Sequence, residues 1–161
     1  MTTLTQPFKR RLPKIDLYGE VKLNIGCGNK NDDGFIGIDI RECGQDLMWD
    51  VREGIPFPDE SIDLIWSSHV IEHFNDAECE DLFREFYRIL KPGGKTYHAL
   101  PHVEDPTAYY FDHKTFWNEE RVTSLTGVPG LEVFKIIKNE MNTESTMRGK
   151  PMKQLIFGLQ K

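Results

Sequence analysis

KLNIGCGNKNDDGFIGIDI, residues Lys22 to Ile40, holds two short apolar runs on either side of a polar loop. The first, Val21 to Ile25, is β-prone and stops at Gly26-Cys27-Gly28; the second, Phe35 to Ile40, is equally β-prone and brings Asp39 to its end. Both runs read as short buried strands. Glycines at 26 and 28 let the backbone turn sharply and approach a ligand closely. By itself GxG marks a plain tight turn as readily as a site. Asp39 adds the second half of the pattern, because a carboxylate at a strand end can accept hydrogen bonds from two vicinal ribose hydroxyls.

The spacing narrows the nucleoside. A dinucleotide fingerprint needs GxGxxG opening a helix, with an acid roughly 20 residues further on. Position 31 is Asn, and Asp39 follows Gly28 by 39 − 28 = 11 residues. The intervening NKNDDG is turn chemistry, too short for the helix N-terminus that would hold a pyrophosphate. A phosphate-binding GxxxxGK[ST] is absent from the sequence. These points disfavour an NAD-dependent oxidoreductase and leave a ligand with a ribose but no phosphates. S-adenosylmethionine fits that description.

Working outward, Ser61 to Ser67 (SIDLIWS) and Lys95 to Leu100 (KTYHAL) read as a third and a fourth buried strand. Between them Asn75 or Asp76 caps a helix with apolar residues Leu82, Phe83, Phe86, Tyr87 and Leu90, stopped by Pro92-Gly93. A further helix is expected from Lys114 to Leu125, ending at Gly127. LEVFKIIKNE and KQLIFGLQK are strand-like runs suited to an antiparallel pair at one sheet edge. The alternation predicts an α/β fold: a mostly parallel central sheet with an antiparallel C-terminal edge hairpin, and helices on both faces. Ligands of such sheets bind outside the carboxyl ends of the strands.

With 161 residues the chain suits one domain, expected over 21–161 after an N-terminal arm at 1–20. The arm carries the basic cluster Lys9, Arg10, Arg11 and Lys14, without a secretory pattern, and a cytoplasmic location is expected. No apolar run approaches the roughly 20 residues of a bilayer span. Cys27, Cys43 and Cys79 are widely spaced without CxxC, as reduced thiols would be. A net charge of −6 opposes binding to a phosphate backbone.

Several segments together resemble the class I S-adenosylmethionine-dependent methyltransferases, most nearly the methyltransferase type 11 kind. LNIGCGN resembles their glycine-rich first motif and GIDI their ribose-binding second. DVREGIPFPDESIDLIWSSHVIEHF is similar to the segment around their fourth strand, and FYRILKPGGK to the turn into their fifth. The resemblance covers most of residues 21–101 and implies a Rossmann-like methyltransferase fold using S-adenosylmethionine. By it, Gly26, Cys27, Gly28 and Asn29 approach the methionine portion, and Asp39 with Ile40 takes the ribose. Asp50 and Val51 flank adenine, while Ser67, Ser68 and His69 line the floor after strand four. Two departures stand out: Asn24 replaces the usual acid, and the helix between the first two strands is lost or shortened.

Methyl transfer needs no protein nucleophile, but a hydroxyl acceptor benefits from a general base. His69 and His102 are the candidates, with His113 behind them; Glu72 and His73 read as bracing the turn after strand four. PHVEDPTAYYFDHKTFW, residues 101–117, opens a candidate lid and acceptor segment extending to 130. Within it Phe111 and Trp117 read as apolar anchors and Tyr109 and Tyr110 stay open. Asp105, Asp112 and His113 lack a defined ligand spacing, read as solvated loop charges, and no metal site is expected. The [ND]PP[YFW] tetrapeptide of base-methylating relatives is replaced by WSSH. The expected acceptor is therefore an oxygen or nitrogen of a small molecule, a sugar or another non-nucleic-acid group. The alternative is a non-catalytic methyltransferase-like partner subunit; a homodimer is compatible with so small a chain.

Overall fold

The computed structural model describes residues 19–161. The basic cluster and nearly all of the expected arm lie outside the described residues.

Four parallel pairings build the first part of the sheet from β1 (Lys22–Ile25), β2 (Phe35–Asp39), β3 (Leu47–Met48), β4 (Ile62–Ser68) and β5 (Leu90–Pro101). Leu23, Ile25, Ile38 and Ile65 are fully buried, as strands covered on both faces require. β6 (Lys135–Asn142) and β9 (Gln154–Gln160) form the expected antiparallel pair, with β9 inserted between β5 and β6. The order is β3-β2-β1-β4-β5-β9-β6. β7 (Thr146–Met147) and β8 (Lys150–Pro151) make a separate small hairpin. The chain reverses direction of progress across the sheet between β1 and β4, and the crevice at their carboxyl ends is the expected ligand position.

Asn75 caps α1 (Asp76–Ile89): its side chain accepts from the Glu78 amide while Glu78 accepts from the Asn75 amide, a reciprocal capping box. Cys79, Leu82, Phe83, Phe86 and Ile89 form its buried stripe. The helix stops at Ile89, ahead of the expected Pro92-Gly93, because Leu90 is already paired with Ile62 and KPGG is a bulge within β5 rather than a turn before it. The second helix is also shorter than the sequence suggests. α2 runs Glu119–Leu125 behind the Asn118 cap, since Trp117 is drawn into a bridge with His102 and buried completely.

Both helices pack over one aromatic cluster. Phe83 and Phe86 of α1 lie 5.5 and 5.4 Å from the His98 ring, and Trp117 stacks on Phe157 at 5.6 Å. The Arg121 guanidinium of α2 covers Trp117 at 4.6 Å. Between β1 and β2, where the resemblance implies a lost or shortened helix, the described residues form only turns.

His98 is completely buried among these rings, with Nδ1 2.7 Å from the Ser67 hydroxyl. Burial pushes its imidazole from 6.5 down to about 3. The unfolded chain therefore binds a proton at a pH where the folded chain does not, so this contribution to stability is complete above pH 6.5 and is lost as pH falls toward 3. Urea unfolding should show about 2 kcal/mol lost through His98 between roughly pH 7 and pH 5, and His98→Leu should flatten that slope. An unchanged slope in the variant would remove His98 as its source.

Candidate active site

The glycine loop is held from beneath. Gly26 and Cys27 both donate their N–H to the Ile38 carbonyl, at 2.7 and 3.2 Å, and Gly28 donates to Asp39 Oδ2 at 2.9 Å. Gly26 has φ +67, and a Cβ there would lie 2.2 Å from Val70 Cγ2, so no side chain fits. Asp39, 5% exposed at the end of β2, also accepts the Arg41 N–H at Oδ1, 2.9 Å. Oδ1 also accepts from the Arg41 side-chain Nε at 3.5 Å, so the lone pair left over belongs to Oδ2. The N–H groups of 26–28 are thus bonded inside the protein, while Gly26 itself lines the cavity described next.

A cavity of about 340 Å³ opens above this loop. Gly26, Asp39, Ile40, Asp50, Val51 and His69, all expected in the site, line it. Trp49, Val70 and Phe74 complete an apolar wall, with Arg41, Arg52, His73 and Asp112 at its polar parts. Trp49 is fixed by its indole N–H to the Gly54 carbonyl, 2.7 Å. Asp50 caps the turn Val51–Glu53 and pairs with Arg52. An acid with a spare acceptor at Oδ2 beside an apolar slot fits the nucleoside of S-adenosylmethionine: a ribose hydroxyl on Asp39, the base against Ile40, Val51, Trp49 and Phe74.

A second cavity, about 590 Å³, adjoins the first through His69, His73 and Asp112. Its other walls come from residues 101–113 and from Met147 to Met152 around the small hairpin. His69 stands between them in a left-handed backbone conformation, φ 56. Its Nε2 lies 2.8 Å from the Gln154 amide nitrogen, which can only donate, so Nδ1 bears the proton of the neutral ring. That Nδ1 faces Glu72 Oε1 at 3.2 Å.

Other expected site residues sit elsewhere. Cys27, Gly28, Asn29, Ser67 and Ser68 line neither cavity. Cys27 is buried, which raises its thiol to about 11. Ser67 turns its hydroxyl to His98 in the core and so forms no cavity floor. His102, expected as a general base, is 4% exposed with Nε2 at 3.0 Å from Glu119 and Nδ1 accepting from the Glu104 amide, so both nitrogens serve the fold. Asp105 is not a solvated charge: it is buried and accepts from Thr107 and from the Lys153 amide. Trp117 is the anchor expected, whereas Phe111 is fully exposed. Arg41, Trp49 and Phe74, which line the first cavity, each adjoin a residue already singled out but carry no motif of their own, and Gln154 meets His69 only through the placing of β9.

Comparison with known proteins agrees with this architecture. The methyltransferase-domain family Methyltransf_11 matches residues 41–98. The ubiquinone/menaquinone biosynthesis C-methyltransferase UbiE of Xanthomonas oryzae is 32% identical over 74 residues, 45% of this chain and 26% of that protein. The phosphoethanolamine N-methyltransferase of Triticum aestivum is 29% identical over 100 residues, 48% of this chain and 19% of that protein. The chain thus spans about a quarter or less of the curated relatives it matches. Among solved structures, an S-adenosylmethionine-dependent methyltransferase from Mesorhizobium loti superposes with a TM-score of 0.62 at 16% identity, covering 88% of this chain and 90% of that one. The chain has the class I S-adenosylmethionine-dependent methyltransferase fold, and its methyltransferase-domain match lies over the segment that builds the cavity wall and leads into β5.

Proposed function

We propose that this protein transfers a methyl group from S-adenosylmethionine to an oxygen or nitrogen of a small-molecule or saccharide acceptor. The observation that carries this reading is the junction of the two cavities at His69, with a ribose-type acid on one side and an open polar chamber on the other. When bound, S-adenosylmethionine supplies an electrophilic methyl carbon on its sulfonium.

The chain's own residues do the rest by position. Asp39 takes a ribose hydroxyl, and Ile40, Val51, Trp49 and Phe74 exclude water from the base. His69 carries its lone pair at Nε2, and receives the acceptor's proton there once the Gln154 amide gives way. Glu72, beside Nδ1, stabilises the imidazolium that forms. Such a base suits a hydroxyl or an ammonium proton, which favours an oxygen or nitrogen acceptor over the carbon named for one of the relatives. The net charge of −6 disfavours a nucleic-acid acceptor.

One observation favours the non-catalytic alternative, a partner subunit with weak cofactor binding: the N–H groups of residues 26–28 are all satisfied internally. Calorimetric titration separates the two readings. S-adenosylmethionine and S-adenosylhomocysteine should bind, NAD should not, and Asp39→Asn should weaken binding roughly 10- to 100-fold, the worth of a hydrogen bond to a charged group. Absence of binding by either ligand at millimolar concentration would defeat the enzyme reading.

The backbone of His69 permits a second, separable test. Its left-handed conformation costs a non-glycine residue about 1–2 kcal/mol. His69→Gly should therefore be more stable than His69→Ala by about 1 kcal/mol in urea, while both lose transfer. Retained transfer in either variant would exclude His69 as the base.

A further inference from the structure

Glu72 is 1% exposed, and neither of its carboxylate oxygens makes a hydrogen bond among the described residues. The nearest opposite partner, His69 Nδ1, is at 3.2 Å but off hydrogen-bond geometry. A carboxylate buried this far without a hydrogen bond is costly unless a cation or a proton joins it. Two imidazoles stand beside it. His73 and His113 pack edge to face with ring centroids 4.8 Å apart, and one ligand atom from each of Glu72, His73 and His113 lies within 4.8 Å of the other two.

The outer partners of these rings set their tautomers. His73 Nδ1 is 3.2 Å from the Asp112 carbonyl, and His113 Nδ1 is 3.2 Å from the Ala108 carbonyl. A carbonyl only accepts, so each Nδ1 carries its proton and each Nε2 its lone pair. Imidazoles that ligate metals are oriented in this way. The Lys114 and Thr115 amides both bond to the Glu72 carbonyl, at 2.7 and 3.2 Å, and hold the segment bearing His113 against the turn Ile71–His73.

From this constellation we infer that Glu72, His73 and His113 bind one divalent transition-metal ion. Two imidazole nitrogens and one carboxylate suit zinc, cobalt, iron or manganese better than magnesium or calcium. Closing the donors from 4.8 Å to the roughly 3.4 Å separation of a tetrahedral site with bonds of roughly 2.1 Å takes a shift of about 1.4 Å at most, within reach of side-chain rotation. Three protein ligands leave a coordination position open. His73 and His113 line the larger cavity, so that position faces the acceptor chamber and suits an oxygen-bearing group. The second oxygen of Glu72 remains for His69. This inference reaches beyond methyl transfer, and metal binding is read without cofactor or acceptor, so either proposal can fail alone.

The test uses the full chain after exhaustive dialysis against chelator. Titration with Co²⁺, followed by its visible absorption, and with Zn²⁺ by calorimetry, should show one equivalent bound. His113→Ala, at a partly exposed position, should weaken binding at least tenfold, and Glu72→Gln should do so at least as strongly, each with an unchanged circular dichroism spectrum. Cys43→Ser, which disrupts the only other grouping of potential ligands among the described residues (Cys27, Asp39 and Cys43), should leave binding intact. No binding at millimolar metal, binding indifferent to His113→Ala, or binding lost in Cys43→Ser would each overturn the assignment. Should Glu72→Gln fail to fold, the His113 and Cys43 variants decide.

Discussion

The Ile38 carbonyl governs the ligand end of this molecule. By accepting the N–H groups of both Gly26 and Cys27, it folds the chain leaving β1 back over β2 without an intervening helix. Polar side chains hold what a helix would have held. Asp46 accepts from the Gly37 amide and from Asn31, and Asn31 also donates to the Phe35 carbonyl. Asn24, buried in β1, reaches the Lys30 carbonyl and Asn31. The loop lies so close to β2 that a Cβ at Gly37 would come within 2.9 Å of Asn31 and of Cys27 Sγ. Compactness and donor availability thus trade against each other: the bonds that shorten the loop consume its amides.

The opposite cavity wall depends on an ion-pair network. Arg88 of α1 donates to the Ile55 and Phe57 carbonyls and pairs with Glu85 and Asp59, and Glu85 in turn accepts the Ile55 amide. The Glu85 carboxylate keeps the Arg88 guanidinium charged well above its usual range, and Arg88 holds Glu85 below the usual carboxylate range. This clamp ties the connection from β3 to β4 onto the helix. Trp49 and Val51 are positioned as a result, the former through its bond to the Gly54 carbonyl.

The parts legible in the sequence are those with short-range causes. The strands that end at Ile25, Asp39 and Ser68 show as apolar runs, and Asn75 with Glu78 marks the start of α1 within four residues. β3 was invisible because two residues carry no periodicity; only pairing with Ile38 and Asp39 makes them a strand. The start of α2 was misplaced because Trp117 fits a helical stripe equally well, and its bridge to His102 joins positions no local pattern connects. Phe111 reads as an anchor by composition, yet the turn Pro106–Tyr109 turns it outward. At the site, Asp39 and Gly26 were legible as strand-end residues, whereas the burial of Glu72 follows from the packing of residues 113–115 across it. The spacing His69-x-x-Glu72-His73 was the one available signal.

The five histidines show how a second partner, rather than residue type, assigns a role. Burial among Phe83, Phe86 and Phe157 makes His98 a neutral core group. His102, held by Glu119 and the Glu104 amide, has no nitrogen left for a ligand. His73 and His113 each give Nδ1 to a backbone carbonyl and turn basic at Nε2; His69 reaches the same tautomer because the Gln154 amide must donate to it. Three imidazoles in one tautomer thus stand round one buried carboxylate where the two cavities meet. The same side chain serves the core, the fold or a cavity according to the groups that meet its ring nitrogens.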